Sequence, residues 1–214
     1  MYKVSVGICC YEQSQWLYRC LRSLASQTMT KADFEVVIIN DEPGAELDDI
    51  CDSMRDILNI KLINNKRNLG LPASLNKALS TSRGQYFVRI DADDYVSKHF
   101  LYMLSTFLDL NRSYQAVACD YKKVDRIGLD IGYFSSEEDT IACGIMFSYE
   151  SLCDIGFYNE DFKMREGHEL LSRYKDRYSV YHLPLALYRY RIHDDNRTKN
   201  VNKLKIYDIM LEEG

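Results

Sequence analysis

The chain has 214 residues, 46% of them hydrophobic and 28% charged, which suffices for one sizeable core. Its net charge of -5 argues against a general nucleic-acid binder, because phosphate binding draws on a dominant basic face. Seven cysteines with no CxxC pair and no paired zinc spacing suit the reduced thiols of a cytoplasmic protein better than a disulfide framework.

"KVSVGICC" (3–10) is β-rich, and the short apolar run before Glu12 is too brief for a signal peptide. In "QSQWLYRCLRSLASQ", Trp16, Leu17, Cys20, Leu21, Leu24 and Ala25 recur at helical spacing. "DFEVVIIN" (33–40) is a continuous apolar run of the kind buried on both faces of a parallel sheet. A helix is expected over 46–57, then a third strand at "NIKLINN" (59–65). Pro72 suits a first helical turn, with Leu71, Leu75, Ala78 and Leu79 on one face until the stop at 82–84. "QYFVRI" reads as the fourth strand. Ser97 is the expected N-cap of a helix carrying Phe100, Leu101, Leu104, Phe107 and Leu108, and "YQAVACDY" returns as a strand. This alternation predicts a mainly parallel sheet flanked by helices.

Past residue 120 the rhythm is less regular. A Gly-punctuated stretch at 128–144 precedes a strand at "GIMFSY", a helical segment near 166–176, a strand at "LALYRYRI", and a closing helix from Arg197 with Lys199, Lys203 and Lys205 on a solvated face. Tyrosines at 158, 174, 178, 181, 188 and 190 cluster here, where packing is the expected use for most. No segment approaches the roughly 18 uninterrupted apolar residues of a membrane span, so any membrane contact is expected to be peripheral.

In open α/β sheets, ligands bind beyond the carboxyl ends of the strands. Three such ends carry polar clusters: Cys10-Tyr11-Glu12, "NDE" at 40–42, and "DADD" at 91–94. Asp91, Asp93 and Asp94 repel one another unless a cation or hydrogen-bond donors compensate, and a divalent metal is the economical answer. A calcium loop fits worse, since Val96 and Tyr102 stand where an EF-hand needs Gly and Glu. Each signal also has a plainer reading. The aspartates suit a solvated turn ahead of Ser97, Asp41 suits turn initiation before Pro43-Gly44, and His193 suits a surface position.

Taken in order, "VSVGICCYEQSQWLYRCLRSLASQT", "FEVVIINDEPGAELDDI", "NKRNLGLPASLNKALSTSRGQYFVRIDADDY", "REGHEL" and "YRYRIHDDN" resemble the family 2 glycosyltransferases of the GT-A fold. The resemblance implies an α/β GT-A domain, with a nucleotide-sugar-binding half (1–120), a less regular acceptor-side half (121–196) and a C-terminal helix (197–214). It also implies inverting transfer of a sugar from a nucleoside-diphosphate sugar, UDP by family habit, to the hydroxyl of a glycan, polysaccharide or lipid-linked acceptor at the inner face of a membrane. Asp41 would contact the base, and Asp91 the ribose or sugar. Cys10, Tyr11, Glu12, Asn68 and Ala92 would lie beside the donor. Asp93 would hold Mn2+ or Mg2+, with His193 a further ligand and Asp94 in the sugar or metal shell.

The sequence departs from the family pattern in three places. Cys9 and Cys10 replace the usual Pro-Thr, Glu12 the usual Asn, and Glu166-Gly167 the Glu-Asp pair that usually supplies the base. Glu166 is the positional match for the base, and Glu169, three residues on, is second. Two alternatives stand beside transfer. One is a nucleotide-sugar-binding module that has lost its chemistry; the other is a sugar-phosphate nucleotidylyltransferase, whose Gly-rich, Arg-containing first loop "GICCYEQSQ" lacks.

Overall fold

The computed structural model describes residues 1–194, 196 and 201–213. In the first half, strand and helix alternate as β1 (Tyr2–Cys10), α1 (Ser14–Ala25), β2 (Phe34–Asn40), α2 (Asp48–Asp52), β3 (Ile60–Asn64), α3 (Leu71–Thr81), β4 (Gly84–Arg89), β5 (Tyr95–Val96), α4 (Phe100–Leu110) and β6 (Ala116–Val124). The second half adds β7 (Asp130–Phe134), β8 (Ile145–Ser148), α5 (Tyr149–Ile155), α6 (Glu166–Lys175), β9 (Val180–Arg191) and α7 (Val201–Glu213). One nine-stranded sheet runs through both halves in the order β3-β2-β1-β4-β8-β6-β9-β5, with β7 beside β6. Strands β3, β2, β1, β4, β6 and β9 point one way, and β8, β5 and β7 oppose them.

The run "FEVVIIN" is buried at every position of β2. Val36 and Ile38 face the layer of α1 and α4, while Val37 and Ile39 face α3, α5 and α6. This two-faced burial is why the strand reads as uninterrupted apolar rather than alternating. Pro72 lies in the first turn of α3, where its missing N–H costs no hydrogen bond. Tyr174 and Tyr188 are fully buried and Tyr158 nearly so, which assigns these three to packing.

Several elements differ from the sequence expectation. The helix over 46–57 is confined to Asp48–Asp52, because the next amides turn tighter: Met54, Arg55 and Ile57 each donate to the carbonyl three residues back. Helix α4 begins at Phe100, and Ser97 does not cap it with its side chain. Gln27, just beyond α1, does that work from a distance: its Oε1 accepts from Leu101 N (3.0 Å) and its Nε2 donates to Ser97 O (2.8 Å). "GIMFSY" becomes β8, antiparallel to both β4 and β6, and strands β5 and β7 carry no sequence signal of their own. Residues 197–200, including the expected helix start at Arg197 and Lys199, lie outside the described residues. No helix among the described residues is long and apolar enough to cross a membrane. All seven cysteines are free thiols.

Candidate functional site

Because β1 pairs in parallel with β2 and β4, the three polar clusters end on one rim. Asp41 N donates to Cys10 O (2.9 Å), and Glu12, in left-handed backbone at φ 56, donates its N–H to Glu42 Oε2 (2.9 Å). A cleft of about 680 Å3 opens at this rim. Tyr11, Glu12, Asp41 and Asn68 line it from the first half with Asp91 and Asp93, and Glu166 and His193 reach it from the second. Cys10 and Ala92 do not line it: both are buried in the core, and the half-buried Cys9 lines it instead.

The acidic turn is compensated carboxylate by carboxylate. Arg89, 6% exposed on the last position of β4, donates Nε and Nη2 to the two oxygens of Asp91 (2.6 and 3.1 Å) and Nη1 to Glu166 Oε1 (2.8 Å). Asp93 Oδ2 lies 2.8 Å from His193 Nε2. Asp94 accepts from Tyr188 Oη (2.7 Å) and Arg191 N (2.7 Å), which fastens the turn to β9. Burial, then Asp93 and Asp91, push the Asp94 carboxyl well above its ordinary value; burial, then Asp91, raise Asp93, opposed by His193.

Asp41 is the hub of the neighbouring loop. It accepts from Asn65 Nδ2 (2.8 Å), Leu69 N (2.8 Å) and Gly70 N (2.9 Å), and Gly70 sits at φ +86, a conformation glycine adopts without strain. Asn68 Oδ1 also accepts from Gly70 N (2.9 Å), so this corner of the cleft is fixed by its own backbone.

Helix α6 supplies the opposite wall. Arg165 adopts φ 60 immediately before it, and Glu166 opens the helix, 6% exposed. A Cβ at Gly167 would overlap the side chain of Ala142, so the loop before β8 fills the space an aspartate would need. His168 lines the cleft; burial, then Arg165, lower its pKa from 6.5. Glu169 lies outside the cleft lining and is held by Arg173 through two bonds, Nε–Oε1 at 2.5 Å and Nη2–Oε2 at 2.9 Å.

For a divalent cation the donor chemistry is present. Asp93 and His193 bring a carboxylate oxygen and an imidazole nitrogen to one spot on the cleft wall, a mixed donor set for a divalent cation. Asp91, Asp94 and Cys143 also place one ligand atom each within 4.8 Å of one another. Asp94 does not line the cleft, however, whereas Asp93 and His193 both do, so Asp93 with His193 is the better fit.

A family model described as Glycosyl transferase family 2 matches residues 5–196. The chain belongs to that family. An uncharacterized glycosyltransferase of Haemophilus influenzae is 26% identical over 92% of this chain and 68% of its own length. The poly(ribitol-phosphate) beta-N-acetylglucosaminyltransferase TarS of Staphylococcus aureus is 32% identical over 53% of this chain, which spans only 20% of TarS. The crystal structure of S. aureus TarS 1-349 in complex with UDP-GlcNAc superimposes with a TM-score of 0.80 at 22% identity, covering 92% of this chain and 61% of that one. The fold is therefore the GT-A fold, α/β with a mostly parallel sheet.

Within this family 2 chain, sequence reasoning missed Arg89 and His168. Arg89 stands inside "FVRIDADDY", two residues before Asp91, and a charged residue at the end of a buried strand is a signal in itself. Its second partner, Glu166, lies 77 residues away, beyond any local pattern.

Proposed function

We propose that this chain transfers a sugar from a nucleoside-diphosphate sugar, UDP-linked, to a hydroxyl of a glycan, polysaccharide or lipid-linked acceptor, with inversion at the anomeric carbon. The observation that carries the reading is the meeting, in one cleft at the carboxyl ends of β1, β2 and β4, of the Asp93–His193 pair with the Arg89–Asp91–Glu166 cluster. Solved TarS structures with UDP and with UDP-GlcNAc support the choice of uridine nucleotide.

On this reading Asp41 and the loop it holds receive the base, and Tyr11, Glu12 and Asn68 flank the nucleotide. Asp91 faces the ribose or sugar, while Asp94 keeps the turn in place from behind. Asp93 with His193 would hold Mn2+ or Mg2+, whose charge would offset that building on the departing diphosphate. The acceptor hydroxyl attacks the anomeric carbon from the face opposite the diphosphate. Glu166 takes its proton as the new C–O bond forms and the bond to the diphosphate oxygen breaks. Glu166 is favoured over Glu169 as base because only Glu166 lines the cleft.

Gly167 favours a second reading, a nucleotide-sugar-binding module without chemistry. UDP release from UDP-N-acetylglucosamine and UDP-glucose with Mn2+, water serving as acceptor, separates the two. Transfer predicts slow UDP release, a freed sugar of inverted configuration by NMR, and loss of both in Glu166→Gln. Nucleotide binding with no UDP release from either donor, or from a wider panel of donors and acceptors, would establish the module.

A further inference from the structure

We propose that Arg89 is a positioning residue that sets the Glu166 carboxylate for proton abstraction; this rests on the assignment of Glu166 as base. Phe87 on β4 packs in the layer that contains Leu170, Leu171 and Tyr174 of α6. Arg89 follows Phe87 by two residues, so it continues the same face of the strand toward the rim. There the apolar contact between sheet and helix gives way to a charged joint, with Arg89 bonded to the first residue of α6.

All three nitrogens of the guanidinium donate at that joint. One edge takes Asp91 through two bonds, and the remaining Nη1 takes Glu166. Arg89 and Glu166 are each 94% covered, so solvent does little to screen the pair. A planar fork fixes two carboxylates at a set angle, which a lysine ammonium cannot do. Arg89 thereby lets a donor-side carboxylate and an acceptor-side carboxylate share one cleft without repelling each other. It also anchors the first turn of the helix, where Gly167 has no side chain and Ala142 occupies the space beside it.

The test uses Arg89→Lys, which retains the charge and loses the fork, alone and combined with Glu166→Asp, whose carboxylate is one methylene short of Arg89. Turnover is read as UDP release from the donor that wild type consumes, and UDP affinity is read by calorimetry. Arg89→Lys should lower kcat on the order of 10- to 100-fold, the scale of a catalytic group misplaced by about an ångström, with UDP affinity changed by less than about threefold. In the Glu166→Asp background the same change should cost several-fold less than in wild type, because the Glu166 contact is already lost and only the two bonds to Asp91 remain to be broken. Equal kcat losses in both backgrounds, or affinity falling in step with turnover, would overturn the positioning role. Glu166→Gln with undiminished turnover would instead remove Glu166 as base, a failure visible without any change at Arg89. Thermal melts of each variant identify loss of fold, and if Arg89→Lys is unfolded, Arg89→Gln takes its place in the cycle under the same criteria.

Discussion

At the residue scale, Gly167 is a packing constraint as much as a missing acid. Its helix is pressed against Ala142, and an added side chain must displace that loop. Gly167→Asp should therefore destabilise the fold by about 1–3 kcal/mol in urea titration, the usual cost of overpacking. Pairing it with Ala142→Gly should recover most of that loss. A Gly167→Asp protein as stable as wild type would contradict this packing.

His168, one residue on, gives a prediction in pH. Burial first, then Arg165, hold its pKa below 6.5, so the unfolded chain takes up this proton before the folded protein does. The stability it confers is complete above about pH 6.5 and is lost as pH falls through the lowered folded value. Melting temperature should thus fall less steeply between pH 6.5 and 5 in His168→Gln than in wild type. Identical slopes would show that His168 titrates normally in the folded state.

At the element scale, tertiary contacts decide what periodicity leaves open. Strand β2 and helix α3 are legible because burial on both faces, or a proline in the first turn, marks the chain locally. The start of α4 is not, since its N-terminal amide is satisfied by Gln27, 74 residues earlier in the chain. Gln27→Ala removes that bond and the two that Nε2 makes to Ser97 O and Ser23 O. It should cost about 1–2 kcal/mol in denaturant titration, like the loss of a local cap. A change below about 0.3 kcal/mol would mean that water replaces these bonds without penalty. Strands β5 and β7 escape sequence reading for a related reason: a two-residue strand and a ribbon beside β6 exist through their partners.

At the scale of the whole molecule, the rim was legible because it follows from topology: parallel strands put their carboxyl ends together, and polar residues there stand out against apolar strands. The need for a counter-charge at "FVRIDADDY" was also legible from the aspartates. The identity of the partners was not, because Arg89 is local while Tyr188, Arg191 and His193 come from β9 and the residues just after it, about 100 positions on. Of the three aspartates in the turn, Asp93 is the one paired with an imidazole at the cleft wall, so the expected metal dependence rests on it. The measurement that tests it most directly is calorimetric titration of UDP, GDP, dTDP and CDP into wild type and Asp93→Ala, each with and without Mn2+. The account predicts Mn2+-dependent binding of UDP in preference to the others, and loss of the Mn2+ dependence in a folded Asp93→Ala protein. Failure of a folded wild-type protein to bind any of the four nucleotides in either condition would contradict it.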